Sequence, residues 1–160
     1  MFEVRSFAVY PGHGVGVIES IKRMEINVGK MQDFYILRIL DTKMTIMVPT
    51  EKALSAGMRE VIERTRIPEI YEILKDKEVH NNNQPWNQRY REYTEKIKSG
   101  SIFEVAKVFQ ELYCLRAEKG LSFGEKKLMD TAKKLLIKEL AISMDAEEAE
   151  IGKKIQGIMY

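Results

Sequence analysis

Two kinds of hydrophobic spacing meet near Pro49. Before it, short apolar runs fit strands. Residues 2–10 alternate loosely, residues 15–21 are β-branched and follow the Pro11-Gly12-His13-Gly14 turn, and runs at 34–40 and 44–48 are separated by Asp41-Thr42-Lys43. Antiparallel strands at this spacing predict a small barrel or curled sheet, whose modest core gains by packing on something else. After Pro49 the spacing is helical: Ile67, Ile70, Tyr71 and Leu74 share a face, with Pro68 acceptable in a first turn, and Trp86, Tyr90, Tyr93 and Ile97 form a stripe that ends at Gly100. Ser101 with Glu104 and Ser122 with Glu125 read as capping boxes, so helices are predicted over about 102–117 and 123–144. The first is expected to bury Ile102, Val105, Ala106, Phe109, Leu112 and Tyr113, the second Leu128, Met129, Ala132, Leu135, Leu136 and Leu140.

The pattern predicts an α+β fold, a small antiparallel β-barrel followed by a compact all-helical domain. Its expected boundaries are a β module at 1–52, a linker or first helix at 53–66, a helical domain at 67–144 and an acidic tail at 145–160. Asp145 with Glu148 offers a cap for a last short helix, but Gly152 and Gly157 weaken it, so the tail is expected to fray.

Composition narrows the functional classes. The chain is 44% hydrophobic and 31% charged, the balance of a soluble globular protein. No apolar run approaches the roughly 20 residues of a membrane span, and no basic-then-apolar leader precedes residue 10, so no membrane association and a cytoplasmic location are expected. Cys114 is the single cysteine; it can make no intramolecular disulfide, cannot supply the paired thiolates of many zinc sites, and reads as a small core residue. Nucleophile-elbow, phosphate-loop and paired-histidine zinc motifs are missing, and His13 and His80, one in a turn and one in an Asn-rich loop, read as surface polar residues. No catalytic residue, metal site or cofactor is assigned, and the chain is expected not to be an enzyme.

Net charge is only +2, but Asp145, Glu147, Glu148 and Glu150 hold a concentrated share of the negative charge, and the bases gather on two helices. On the first, Arg89 and Lys96 line one flank of the Trp86 stripe and Arg91 and Lys98 the other. That stripe is either wholly a core face or a compromise in which Tyr90, Tyr93 and Ile97 pack inward while Trp86 projects from the helix end. On the second, Lys126, Lys127, Lys133, Lys134 and Lys138 fall within an arc of about 140 degrees, either plain solvated surface or a phosphate-contacting row. In the β module, residues 34–40 are apolar on both alternating faces, so one face is covered by the helical part or docks a partner, for instance by strand addition.

Four segments, in one order, carry a resemblance: Val9-Tyr10-Pro11-Gly12-His13-Gly14-Val15-Gly16, Met44-Thr45-Ile46-Met47-Val48-Pro49, Trp86-Asn87-Gln88-Arg89-Tyr90-Arg91-Glu92 and Gly120-Leu121-Ser122-Phe123-Gly124-Glu125-Lys126. Over residues 1 to about 144 the chain resembles the CarD/CdnL family of bacterial transcription regulators. The resemblance implies a Tudor-like N-terminal barrel, shared with transcription-repair coupling factors, that binds the RNA polymerase β-subunit lobe. It also implies a helical domain at promoter DNA, at the upstream fork junction of the melted bubble, where the tryptophan matching Trp86 inserts at the minor groove. On this basis Trp86, Arg89, Arg91, Lys126, Lys127 and Lys134 are assigned to DNA, and Tyr35, Leu37, Ile39, Met47 and Pro49 to RNA polymerase. Three departures stand out: Gln88 where many relatives have arginine, Met47 where some have arginine, and Arg5-Ser6 where Gly-Asp is common. The expected function is stabilisation of the promoter open complex by a monomer without cofactor. The alternatives are a protein-interaction adaptor with Trp86 as hot spot, and a Tudor-like RNA-binding module.

Overall fold

The structure, a computed structural model, describes residues 2–77 and 85–159, which divide between Val61 and Ile62 into two compact units. His80 and the Asn-rich loop lie outside the described residues. The architecture is α+β, strands then helices.

In the first unit, β1 (Phe7–Tyr10), β2 (Gly14–Asn27), β3 (Lys30–Ile39) and β4 (Thr45–Pro49) form one antiparallel sheet in sequence order, a curled half-barrel. Strands β2 and β3 run past the apolar stretches 15–21 and 34–40 because Lys22, Arg23, Glu25 and Asp33 interrupt the pattern without interrupting the ladder. Gly29, at φ 75°, closes their hairpin. An irregularity of register between Ile18 and Ser20 bends β2, and a Cβ at Gly16 would lie 2.8 Å from the Arg38 carbonyl, so only glycine allows β2 this close to β3.

Alternation along β3 decides which side is core. Tyr35, Leu37 and Ile39 face inward with Phe2, Ala8, Ile18 and Val48, and the Phe2 and Tyr35 rings meet edge to face at 5.7 Å. Phe34, Ile36 and Arg38 face the other way, opposite Pro49, Met47 and Thr45 of β4. Residues 53–66, expected as a linker or first helix, are shared between the units. Ala53 and Met58 join the β core and Arg59 bridges to Val9, whereas the Ile62 N–H donates to Glu139 in the second unit and the Ile62 carbonyl accepts from the Ser143 hydroxyl. The apolar positions at 53, 58 and 62 are too widely spaced to announce either attachment as a strand or a helix.

The second unit contains α1 (Ile67–Lys75), α2 (Trp86–Lys98), α3 (Ile102–Lys119), α4 (Phe123–Met144) and α5 (Glu148–Met159). Helix α3 is central, packed on α1, α2 and α4, which is why its buried positions extend around much of its circumference, from Ile102 to Leu115. Ser122 and Glu125 form a complete capping box; at α3 only half of it forms, since the Ser101 hydroxyl accepts from Glu104 N–H while the Glu104 carboxylate pairs with Lys107 at 3.2 Å. Asp145 ends α4 in the left-handed region, φ 51°. The expected frayed tail is instead α5, whose Ile151, Ile155 and Met159 are buried against α1 and α4. Gly152 stays within the helix, where a Cβ would lie at ordinary contact distance, 3.7 Å, from Ile137, so burial of the apolar face outweighs the weak propensity of the two glycines.

Candidate nucleic-acid interface

Pro85 has no N–H to give a preceding turn and sits at φ −56°, ψ 145°, so α2 starts one residue later and Trp86 occupies its first turn. The indole is held from two sides. It stacks on Tyr90, ring centroids 5.2 Å apart, and its Nε1–H donates to Ser122 Oγ at 3.4 Å. Beneath the pair, Gly124 is close enough that a Cβ would lie 3.4 Å from Tyr90 and 3.6 Å from Trp86. The first turn of α4 is thus a seat for both rings. Trp86 remains 45% exposed and Tyr90 37%, while Tyr93 and Ile97 are buried. Tyr90, expected to pack inward, therefore stands outside the core with Trp86. The stripe enters the core only where α3 lies beneath it.

Arg89 turns the other way. It is 6% exposed, and its Nη2 donates to Glu125 Oε2 at 2.9 Å. The other Glu125 oxygen accepts from Ser122 N–H at 3.1 Å, completing the cap of α4. Burial alone would push the Glu125 carboxyl up, but the hydrogen bonds with Ser122 and the Arg89 guanidinium outweigh it and hold the group below the usual carboxylate range. Arg89, assigned above to a phosphate, is therefore an internal strut: its charge is spent on Glu125.

The exposed bases do not form one row. Arg91 is exposed on α2, and Lys127 approaches the Phe123 ring at 5.9 Å. Lys134 pairs with Asp130 at 3.1 Å on open surface. Lys126 lines a groove of about 700 Å³ bounded by α3 and α5, away from the outward-facing Lys127 and Lys134. Phe123, 80% exposed, is the residue that sequence reasoning passed over. Its signal was present, because the residue after a helix cap, 100 degrees from the next, falls opposite the Ala132-Leu136 core face.

Two family models match the chain, the CarD-like/TRCF RID domain over residues 2–62 and the CarD C-terminal domain over residues 69–156. The chain belongs to the CarD family. A relative from Bacillus subtilis (strain 168), named "Putative transcription factor YdeB", is 38% identical over 151 residues, 94% of this chain and 97% of the relative. A role in transcription regulation follows for this CarD family member. The first match ends next to the Val61–Ile62 boundary, and the second includes most of α5.

In this CarD protein the residues assigned to polymerase split by face. Tyr35, Leu37 and Ile39 are core and cannot offer side chains to a partner without unfolding the sheet. Met47, 45% exposed, and the half-buried Pro49 lie on the outer face with Phe34 and Ile36, and β4 is an edge strand with one neighbour in the sheet. Among the described residues no cluster of side chains suits a metal ion, and no helix is long and apolar enough to cross a membrane.

Proposed function

We propose that this CarD family member binds the β-subunit lobe of RNA polymerase through the outer face and free edge of β4. From there its helical unit stabilises the promoter open complex at the upstream fork junction, acting as a cytoplasmic monomer. The observation that carries the reading is Trp86: a large apolar ring, half in water, that the fold fixes in place by a ring stack, a hydrogen bond and a glycine seat instead of burying it. Its geometry suits a wedge. Inserting a ring between bases costs a few kcal/mol of unstacking in closed duplex and least where the bases are already apart, so such a contact favours the open promoter.

Arg91, exposed on the helix that carries Trp86, and Lys126, Lys127 and Lys134, exposed on the helix that seats it, are the phosphate contacts of this reading. None of these contacts reads base edges, so binding is independent of sequence. With Gln88 hydrogen-bonded to Glu92 and Arg89 held by Glu125, few phosphates are neutralised, and the salt dependence is shallow.

The test is the lifetime of an open complex made with the cognate polymerase and challenged with competitor DNA. The protein lengthens it, and Trp86→Ala shortens it again while polymerase binding stays intact. An unchanged lifetime with Trp86→Ala refutes the wedge. DNA retention that does not fall with salt would instead favour the adaptor reading, in which the same exposed rings meet a protein.

A further inference from the structure

We infer that the groove between α3, α4 and α5 is a docking site for an acidic amphipathic helix of a partner protein. Neither Trp86 nor Tyr90 lines it, so it stands independently of the wedge.

Short connections, 120–122 and 145–147, join the three helices, so each runs antiparallel to the one before it. Along α4 the stripe at Lys126, Met129, Lys133 and Ile137 is three turns long, about 16 Å at roughly 1.5 Å per residue, and α3 and α5 wall it on either side. The space is about 700 Å³. Its floor is apolar: Phe109, Met129, Ile155 and Met159 are buried there, and the half-buried Leu121 and Ile137 stand toward its two ends. Two of these floor residues are methionines, whose unbranched side chains adapt to an incoming apolar surface. A groove of this length and lining suits the apolar side chains that a helix presents on one face at i, i+3 and i+7.

Charge selects the partner. Arg116, Lys133 and Lys153 are exposed along the groove and, among the described residues, form no ion pair. The two acids that line it are matched by lysines outside it, Asp130 by Lys134 at 3.1 Å and Glu148 by Lys138 at 2.8 Å. An entering carboxylate therefore meets unopposed cations. These do not converge on one point: Arg116 belongs to the end where α3 turns into α4, whereas Lys153 follows Gly152, which faces Ile137 at the other end. A compact anion would reach one of them, but a helix sets carboxylates two turns, about 10 Å, apart along its length. Nucleic acid fits less well. Its phosphates make no use of an apolar floor, and the Tyr113 ring on which a base would stack is already covered by the Arg116 guanidinium at 4.9 Å.

The test titrates the full chain into two fluorescein-labelled synthetic peptides, read by anisotropy. One is an acidic amphipathic helix with leucine at i, i+3, i+7 and i+10 and glutamate beside that stripe; the other is its scrambled sequence. The first should bind at about 100 μM or tighter and the second at least about 10-fold more weakly. Ala149→Trp, which fills the groove from an exposed position of α5, and the double reversal Lys133→Glu with Lys153→Glu should each weaken the first by roughly 5-fold or more, with circular dichroism showing both variants folded. No binding of the first peptide, equal binding of both, or wild-type affinity in either variant overturns the inference. So does a thymidine oligonucleotide of equal charge that displaces the peptide as well as unlabelled peptide does, which would make the groove a nucleic-acid site. Sedimentation of the chain as a dimer that Ala149→Trp breaks would make the occupant a second copy, and overturns it too.

Discussion

Glu125→Ala should destabilise the helical unit by about 3–4 kcal/mol. The carboxylate and the Arg89 guanidinium are 2.9 Å apart with both side chains 8% exposed, so deleting one partner leaves a buried charge uncompensated, a loss of about 3–5 kcal/mol in comparable pairs. The Ser122 N–H loses its acceptor as well, worth up to about 1 kcal/mol at a helix start. The first turn of α2 borders solvent, where the guanidinium can relax outward, and this sets the sum at the lower end. Glu125→Gln keeps one acceptor oxygen and should lose only about 2 kcal/mol. Replacing both members, Arg89→Met with Glu125→Leu, should return most of the loss, because a buried pair exchanged for apolar groups is often neutral. Urea unfolding of the full chain followed by far-ultraviolet circular dichroism reads these values; with a slope of about 1–3 kcal/mol per molar, the Glu125→Ala midpoint falls by about 1–4 M. A loss below about 1 kcal/mol for Glu125→Ala, or single-variant effects that simply add in the double variant, refutes the strut. The result bears on function, since a DNA-binding defect in Arg89→Ala would then reflect a loosened Trp86 seat, not a lost phosphate contact.

Three further outcomes are expected. Because the folded-state Glu125 carboxyl titrates below the usual carboxylate range, its contribution is complete above that range and disappears as pH falls through the lower folded value; acid unfolding of wild type should exceed that of Glu125→Gln in the same window, and parallel curves would count against the pair. Met47→Glu should leave the β unit folded and weaken polymerase capture, whereas Leu37→Glu, which puts a carboxylate at a fully buried position, should unfold it; a soluble, folded Leu37→Glu would contradict the assignment of faces. Arg5, at φ 73°, occupies a conformation that suits glycine, so Arg5→Gly should stabilise the β unit by about 0.5–1 kcal/mol, seen as stronger hydrogen-exchange protection of β1 and β2, and weaker protection would refute it.

The sequence alone determined the order of strands and helices, the limits of α4 and the cap that begins it, because apolar period and capping chemistry act within a few residues. The four-segment resemblance pointed to the family that the domain matches establish. Tertiary structure decided the rest. An apolar run on both faces of β3 does not say which face is core; the pairing with β2 and β4 chose Tyr35, Leu37 and Ile39 and left Met47 outside. Helical angles placed Arg89 beside the aromatic stripe, but only the approach of α4 supplies the carboxylate that removes it from the surface. The same approach seats Trp86 and Tyr90 half exposed against Ser122 and Gly124. Residues 36 positions apart make that site, and contacts of such sequence separation are fixed by packing, which local periodicity does not encode.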